Sequence, residues 1–433
     1  MDIGTTTCRA TAIEVECVPR RDGLGTDLVD PRTRYVSETR LTPFKDDRIL
    51  EPELREILDR WKTETANIPF NAGGVILTGL AARAGNLPAV RDLIGAAFAN
   101  LIMVTAEDPR YESWLCFKGS VLRASLREPE KRFLHLDIGG GTTNLSIGKN
   151  GEVEDTGSYF IGARHFRFHP GTTVLSYISP YGRKILESLK LNVGNSMSPT
   201  DRQNVAGFFC RALENLVNAG TCWEPLRQAT LTKPLPPIDR LSFSGGIGAW
   251  IYGEETPAEG STPFQDLGWD LARAIRQSEV LHRIPWVKPA ELGLATVAGL
   301  TLFGSTFSGR SIFLPESLRL PLGGIPIVRS EEALSLPSAG GIALFQSLPS
   351  AETAALESIA ERIRSHLERS PDRPVVLLVD RDVGKTLGNL ITDWGKRPWP
   401  LVVLDQVPPP HGQFLHVGKE DRGIVPVSYY GML

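Results

Sequence analysis

At 433 residues the chain is too long for one hydrophobic core, so about two to four packed units are expected. Hydrophobic residues make up 41% and charged residues 22%, an ordinary globular balance, and a net charge of −3 leaves no basic footprint for nucleic acid. No apolar run reaches the roughly 18 residues of a membrane span, and the opening MDIGTTTC lacks the regions of a signal peptide. Cys8, Cys17, Cys116, Cys210 and Cys222 form no C-x-x-C pair, which argues against a disulfide framework or a zinc site. The expectation is a cytoplasmic multidomain protein with reduced thiols and with neither nucleic acid nor membrane as partner.

The chain opens on Asp2-Ile3-Gly4-Thr5-Thr6-Thr7, an acidic residue followed by a glycine/threonine cluster. An apolar strand would be expected ahead of Asp2; its absence predicts a start codon further upstream in the preferred reading, or a protein lacking that core strand. Leu54, Ile57, Leu58 and Trp61 recur at helical spacing and predict a helix over 53–65. Val75-Ile76-Leu77-Thr78-Gly79 reads as a short buried strand with a glycine stop. Phe133-Leu134-His135-Leu136 reads as a buried strand running into Asp137-Ile138-Gly139-Gly140-Gly141-Thr142-Thr143-Asn144. Leu145-Ser146-Ile147 follows as its return strand, giving a hairpin with a glycine-rich tip. Val205, Phe208, Phe209, Leu213 and Leu216 predict a helix over 201–218. A Pro-rich loop at 233–237 precedes a strand over 238–243 that ends in Ser244-Gly245-Gly246-Ile247-Gly248. The segment 330–349, rich in Ser, Gly and Pro, is expected to be a linker. Beyond it, helices over 351–369 and 384–393 alternate with strands over 375–380 and 401–405, predicting a separate C-terminal α/β unit.

Three glycine-rich turns that follow apolar strands suit one kind of ligand. Phosphate oxygens need several donors at close range, and backbone N–H groups provide them only where no Cβ blocks the approach. Threonine hydroxyls add further donors. An Asp at such a position would repel phosphate directly, so its sensible role is to hold Mg²⁺ or to orient an attacking water. Two Asp–Gly/Thr hairpins can therefore clamp the outer phosphates of ATP from opposite sides, and a third glycine turn lets adenosine lie against backbone.

In this order the three turns resemble the actin–Hsp70–sugar kinase superfamily. The resemblance implies an α/β actin-like ATPase fold: two ribonuclease-H-like subdomains around a nucleotide cleft, over 1–135 and 136–330, plus the C-terminal α/β unit over 331–433. Further stretches are similar to the ethanolamine ammonia-lyase reactivating factors of EutA type. They include Asp266-Leu267-Gly268, Ala295-Thr296-Val297-Ala298-Gly299, Leu318-Arg319-Leu320-Pro321-Leu322, Asp382-Val383-Gly384-Lys385-Thr386-Leu387-Gly388 and Ile424-Val425-Pro426-Val427. That family implies an ATP-dependent chaperone that frees adenosylcobalamin-dependent ethanolamine ammonia-lyase of damaged cobalamin. It also implies a cytoplasmic location, with association to an ethanolamine-utilisation microcompartment and self-association left open.

Carried onto this sequence, Asp2 and Asp137 would flank Mg²⁺, with Asp137 orienting the attacking water. Gly4, Thr5, Thr6, Thr7, Gly139, Gly140, Gly141, Thr142 and Thr143 would hold phosphates. Gly245, Gly246 and Gly248 would approach adenosine, and Gly299 would line the cleft behind it. Two departures bear on turnover rather than on binding: Leu80 follows Thr78-Gly79 where an acidic residue is usual, and Leu115-Cys116-Phe117-Lys118-Gly119-Ser120 replaces the small Gly/Ala stretch of the domain crossover. They favour the alternative of an actin-like ATP-binding interaction or filament protein with little hydrolysis. A small-molecule kinase would need a distinct carboxylate facing a sugar pocket, and none stands out.

Other motifs carry less. Gly384-Lys385-Thr386 imitates the end of a P-loop, but Val379 stands where that loop needs its first glycine, so a helix-start turn is the better reading. His165 and His169 are four apart without an accompanying Glu, which gives little support to zinc. No D-x-H-x-x-G signature for base-off cobalamin is present, so the lyase would hold the cofactor.

Overall fold

The computed structural model describes residues 1–433 apart from 20–25, 46, 71–72, 79–80, 82–83, 99–101, 106–108, 259–262, 290–291, 294, 304, 309–310, 316–317, 336–340, 411, 419, 421–424 and 433. Two sheets of one design form the cleft. In the first, the strand order is Arg40–Leu41, Thr7–Arg9, Asp2–Ile3, Gly74–Leu77, Ile102–Thr105. In the second it is Arg227–Ala229, Glu152–Tyr159, Thr143–Lys149, Arg132–Ile138, Arg240–Gly245. In each, the strand that carries the aspartate is an inner one, third of five in the first sheet and fourth of five in the second. An antiparallel return strand lies on one side of it and a parallel strand on the other. This duplicated arrangement is the actin-like ATPase fold, with both aspartates brought to the loop ends of their sheets.

The sequence dictates these strands locally. After Arg132, the strand Arg132–Ile138 is apolar on both faces apart from His135 and Asp137, as an inner strand covered on two sides should be. Helix Pro199–Ala219 packs on this sheet through Val205, Phe209, Leu213 and Leu216, all buried in the largest core. Its start is fixed by a capping box between Ser198 and Asp201, and Gly220 ends it in the left-handed region at φ 63°. Helix Glu51–Glu64 covers the first sheet through Leu54, Ile57, Leu58 and Trp61.

The two halves meet where helix Pro109–Ser120 crosses helix Ala295–Phe303. A Cβ on Gly119 would lie 1.8 Å from the Ala295 carbonyl oxygen, and one on Gly299 would lie 2.1 Å from that of Leu115. These glycines let the helix backbones touch. The small residues needed at the crossover are thus one from each helix, although the 115–120 segment reads as bulky in sequence. Gly299 belongs to this contact and does not line the cleft, contrary to expectation, because its one open direction is filled by the Leu115 main chain.

A third sheet, of seven strands, runs in the order Ser305–Phe307, Pro426–Met432, Gly412–Val417, Leu322–Val328, Ile342–Gln346, Val375–Val379, Leu401–Leu404. Its last four strands are parallel. Successive residues of Val375–Val379 enter two cores on opposite faces, which explains their uninterrupted apolar run. Ile342–Gln346 is an inner strand of this sheet, so the segment expected as a linker carries a buried structural element. Gly384 begins helix Gly384–Ile391, as the helix-start reading of Gly384-Lys385-Thr386 anticipates. No helix among the described residues is long and apolar enough to cross a membrane.

Candidate active site

The two aspartate hairpins close by the same hydrogen bond. Gly4 N–H donates to the Thr7 carbonyl at 3.0 Å, and Gly139 N–H donates to the Thr142 carbonyl at 2.8 Å. Aspartate, glycine and threonine occupy equivalent places in both turns, so the chain builds one glycine/threonine cradle twice. The cradles face each other across a cavity of about 330 Å³. At their closest, a Cβ on Gly140 would lie 1.7 Å from Thr6 Oγ1, so position 140 admits no side chain. Thr6 Oγ1 is buried there with no hydrogen-bond partner among the described residues, an orphan donor between the cradles. Arg164 fastens the pair, its N–H accepted by the Gly140 carbonyl and its guanidinium donating to the Thr6 carbonyl at 2.7 Å.

The third turn abuts the second. Gly245 has φ +92°, and a Cβ on it would lie 2.3 Å from the Ile138 carbonyl oxygen, so only glycine fits. Gly246 faces open space on the cleft side. Beyond it Trp250 and Phe264 stack with ring centroids 5.3 Å apart at the cleft wall.

Asp2, Gly4, Thr5, Thr6, Thr7, Asp137, Gly139, Gly140, Gly141, Thr142, Gly245 and Gly246 all line this one cleft. Three expected residues stand outside it. Thr143 turns its hydroxyl to the Ile161 carbonyl at 2.8 Å, Gly248 faces Leu292, and Gly299 packs on Leu115. Gly79 and Leu80 lie outside the described residues. His165 is buried and pairs with the Ser179 hydroxyl at 2.7 Å, a packing role.

Burial governs the electrostatics. It pushes the Asp137 carboxyl up to about 6, against the Ser244 hydroxyl that donates to it. It pushes Asp2 up to about 6 as well, with the nearby N-terminal ammonium opposing and the Asp137 charge adding to the rise. Thr78 Oγ1 donates to Asp2 Oδ1 at 3.3 Å. Sequence reasoning missed a third carboxyl, Glu112, which enters the cleft from the crossing helix. Burial holds it well above the usual carboxylate range, helped by the charges of Asp2 and Asp137 and opposed by a hydrogen bond with Asn144. The signal for it was a lone acidic residue on the same helical face as Leu115 and Cys116. Asp2, Glu112 and Asp137 all line this cavity, but among the described residues no group of three such side chains could hold a metal ion by itself, so a cation there would need phosphate or water oxygens to complete its shell. Arg9 also lines the cleft, beside Asp2 and Glu255.

The chain is 26% identical over 467 residues to the ethanolamine ammonia-lyase reactivase EutA of Salmonella typhimurium, covering 99% of this chain and 96% of that one. It is 26% identical over 459 residues to the protein of that name in Escherichia coli, with the same coverage. Among solved structures, an Aquifex aeolicus Ppx/GppA phosphatase superposes at a TM-score of 0.40 with 14% identity, over 70% of this chain and 97% of the other. A family model described as ethanolamine utilisation protein EutA matches residues 1–337, and the chain belongs to that family.

Proposed function

We propose that this protein is an ATP-dependent reactivase of adenosylcobalamin-dependent ethanolamine ammonia-lyase, which uses ATP to release damaged cobalamin so that intact cofactor can enter. The observation that carries this reading is the pair of facing Asp–Gly cradles with an orphan Thr6 hydroxyl between them, in a chain of the EutA family. Asp2 and Asp137 would hold Mg²⁺, which when bound supplies charge neutralisation between the carboxylates and the phosphates. Gly4, Thr5, Thr6, Thr7, Gly139, Gly140, Gly141 and Thr142 offer the phosphate donors, and Gly245 and Gly246 offer backbone to adenosine. Asp137 orients the attacking water, and Glu112 is placed to accept its proton. The crossing helices supply a pivot about which the cleft closes on ATP and reopens after hydrolysis. The C-terminal unit, expected over 331–433 and joined in its seven-stranded sheet by Ser305–Phe307 and Leu322–Val328, is additional to the ATPase halves and would grip the lyase. The protein would act in the cytoplasm, with the lyase in an ethanolamine-utilisation microcompartment.

The test is recovery of activity. Purified protein, inactivated lyase, free adenosylcobalamin and Mg-ATP should restore deamination, and no recovery above the ATP-free control would refute the proposal. Asp137→Asn should cut ATP turnover by at least ~10-fold while leaving binding largely intact, the size expected for removing one positioned charge. Tight ATP binding with negligible turnover in the wild type would instead favour an actin-like interaction protein.

A further inference from the structure

The seven-stranded sheet is fastened to both of the helices that cross between the halves. Its edge strand Ser305–Phe307 begins two residues after helix Ala295–Phe303 ends, so helix and strand are joined by one residue of chain. The neighbouring strand Pro426–Met432 is held by the other helix. The Tyr111 hydroxyl donates to the Tyr429 carbonyl at 3.0 Å, and both residues are buried. The two strands pair antiparallel, with Thr306 opposite Val427. One ladder therefore has a different crossing helix attached to each of its strands.

Those helices pack on different halves. Helix Pro109–Ser120 lies on the second sheet: a Cβ on Gly148 would be 2.5 Å from Phe117 Cζ. Arg110 ties the same helix to that half, donating to the Thr156 carbonyl at 2.6 Å and to the Thr230 carbonyl. Helix Ala295–Phe303 lies against the first sheet, where a Cβ on Gly74 would be 2.6 Å from Leu300 Cδ2. Ile76, Tyr111, Leu115 and Leu300 close the seam as one small core. Both helices also reach the cleft, since Glu112, next to Tyr111, lines the cavity together with Ala295 and Thr296. Close-packed elements of this kind move as bodies rather than deform. A rotation of one half against the other moves one helix past the other, and a ladder attached to both is strained or shifted by it.

We propose that Tyr111 couples the C-terminal sheet to the cleft: its hydroxyl, bonded to the Tyr429 main chain, makes the ladder of Ser305–Phe307 and Pro426–Met432 follow the angle between the two halves. Tyr111 itself does not line the cleft, so its part is transmission rather than contact with ligand. The coupling is reciprocal, and a partner that seizes the C-terminal sheet biases the cleft by the same free energy. Only the nucleotide arm of the test rests on the ATP reading proposed above.

Hydrogen–deuterium exchange of the full chain, followed by mass spectrometry, tests the coupling in two arms. The first needs no nucleotide. Arg167 of the second half donates to the Phe44 carbonyl of the first at 2.8 Å, so Arg167→Ala loosens the halves away from the crossing. Exchange over 426–432 should then quicken about fivefold, the change in opening that one hydrogen bond controls. In a Tyr111→Phe background, which keeps the ring and its stack on Trp114, Arg167→Ala should alter that exchange by less than about twofold. No change on Arg167→Ala, or an equal change with and without the Tyr111 hydroxyl, would overturn the proposal. In the second arm, Mg-ATP should shift exchange over 426–432 in the wild type but not in Tyr111→Phe, while protecting 137–144 in both. A C-terminal response that survives in Tyr111→Phe would also overturn the coupling. A wild type whose 137–144 segment gains no protection would defeat the ATP reading alone, since the Arg167→Ala arm still decides this one.

Discussion

Gly299→Ala separates two roles for one glycine. As a wall of the nucleotide cleft, position 299 would tolerate a methyl group in the fold and lose nucleotide affinity. As a contact between crossing helices, it would lose stability. The new Cβ would lie 2.1 Å from the Leu115 oxygen, 2.7 Å from its carbonyl carbon and 3.0 Å from its Cα, all backbone atoms with no rotamer to change. The helices would have to part by roughly 1 Å to restore ordinary contact distances. Overpacking of this kind costs about 1–3 kcal/mol, and a backbone clash belongs at the top of that range. Replacing glycine within a helix returns about 1 kcal/mol. The net expectation is a loss of about 2 kcal/mol, read in thermal unfolding as a melting temperature lower by roughly 3 °C or more. A melting temperature that is unchanged or raised, with weakened nucleotide binding, would refute the helix-contact reasoning and return Gly299 to the cleft.

Two further outcomes follow from the site. Gly140→Ala should lower the unliganded melting temperature, because the methyl meets Thr6 Oγ1 between the cradles and Thr6 must shift, and should also abolish stabilisation of the protein by Mg-ATP; retained stabilisation would show that phosphate does not sit there. Cation binding should release protons. Asp2 and Asp137 both sit near 6 when buried and unpaired, so at pH 6 each is about half protonated, and a cation drives both to the ionised form. Calorimetry of Mg²⁺ or Mn²⁺ binding in buffers of different ionisation enthalpy should report roughly one proton released at pH 6 and close to none at pH 8. Release independent of pH would place the ion elsewhere.

What could be read in the sequence was what is local. Each cradle is a run of a few residues whose aspartate, glycine and threonine fix the turn by themselves, so both hairpins and the Ser244 turn were legible. The helix over 201–218 was legible for the same reason, its apolar period being carried within the segment. Glu112 was not, because its function comes from a helix that reaches the cleft only by crossing another helix far along the chain. Gly299 was placed in the cleft because its motif lies close to the adenosine turn, yet its contact is Leu115, which no local pattern reveals. Ile342–Gln346 was hidden by its flanks: a short apolar run between glycines and a Ser/Pro stretch reads as a connection until a parallel strand on each side claims it. Short apolar runs are the segments where tertiary pairing decides the outcome.

The charge of the cleft orders its events. Among the described lining residues, Asp2, Glu112, Asp137, Glu254, Glu255 and Asp266 are acidic and Arg9 is basic. Two like charges 4 Å apart near a protein surface repel by about 4 kcal/mol, so a bare triphosphate entering beside ionised Asp2 and Asp137 would meet a barrier that backbone N–H donors only partly offset. The raised carboxyl values are one relief, since protonation lowers the charge of the unliganded cleft. A divalent cation is the other, and it works at neutral pH, where protonation fades. On the proposed function the cradles and the carboxyls would be complementary parts: the glycines and threonines would grip phosphate only once the aspartates had been neutralised. Nucleotide and metal should enter as one species, and the Ser244 hydroxyl, which favours ionised Asp137, biases the site toward the metal.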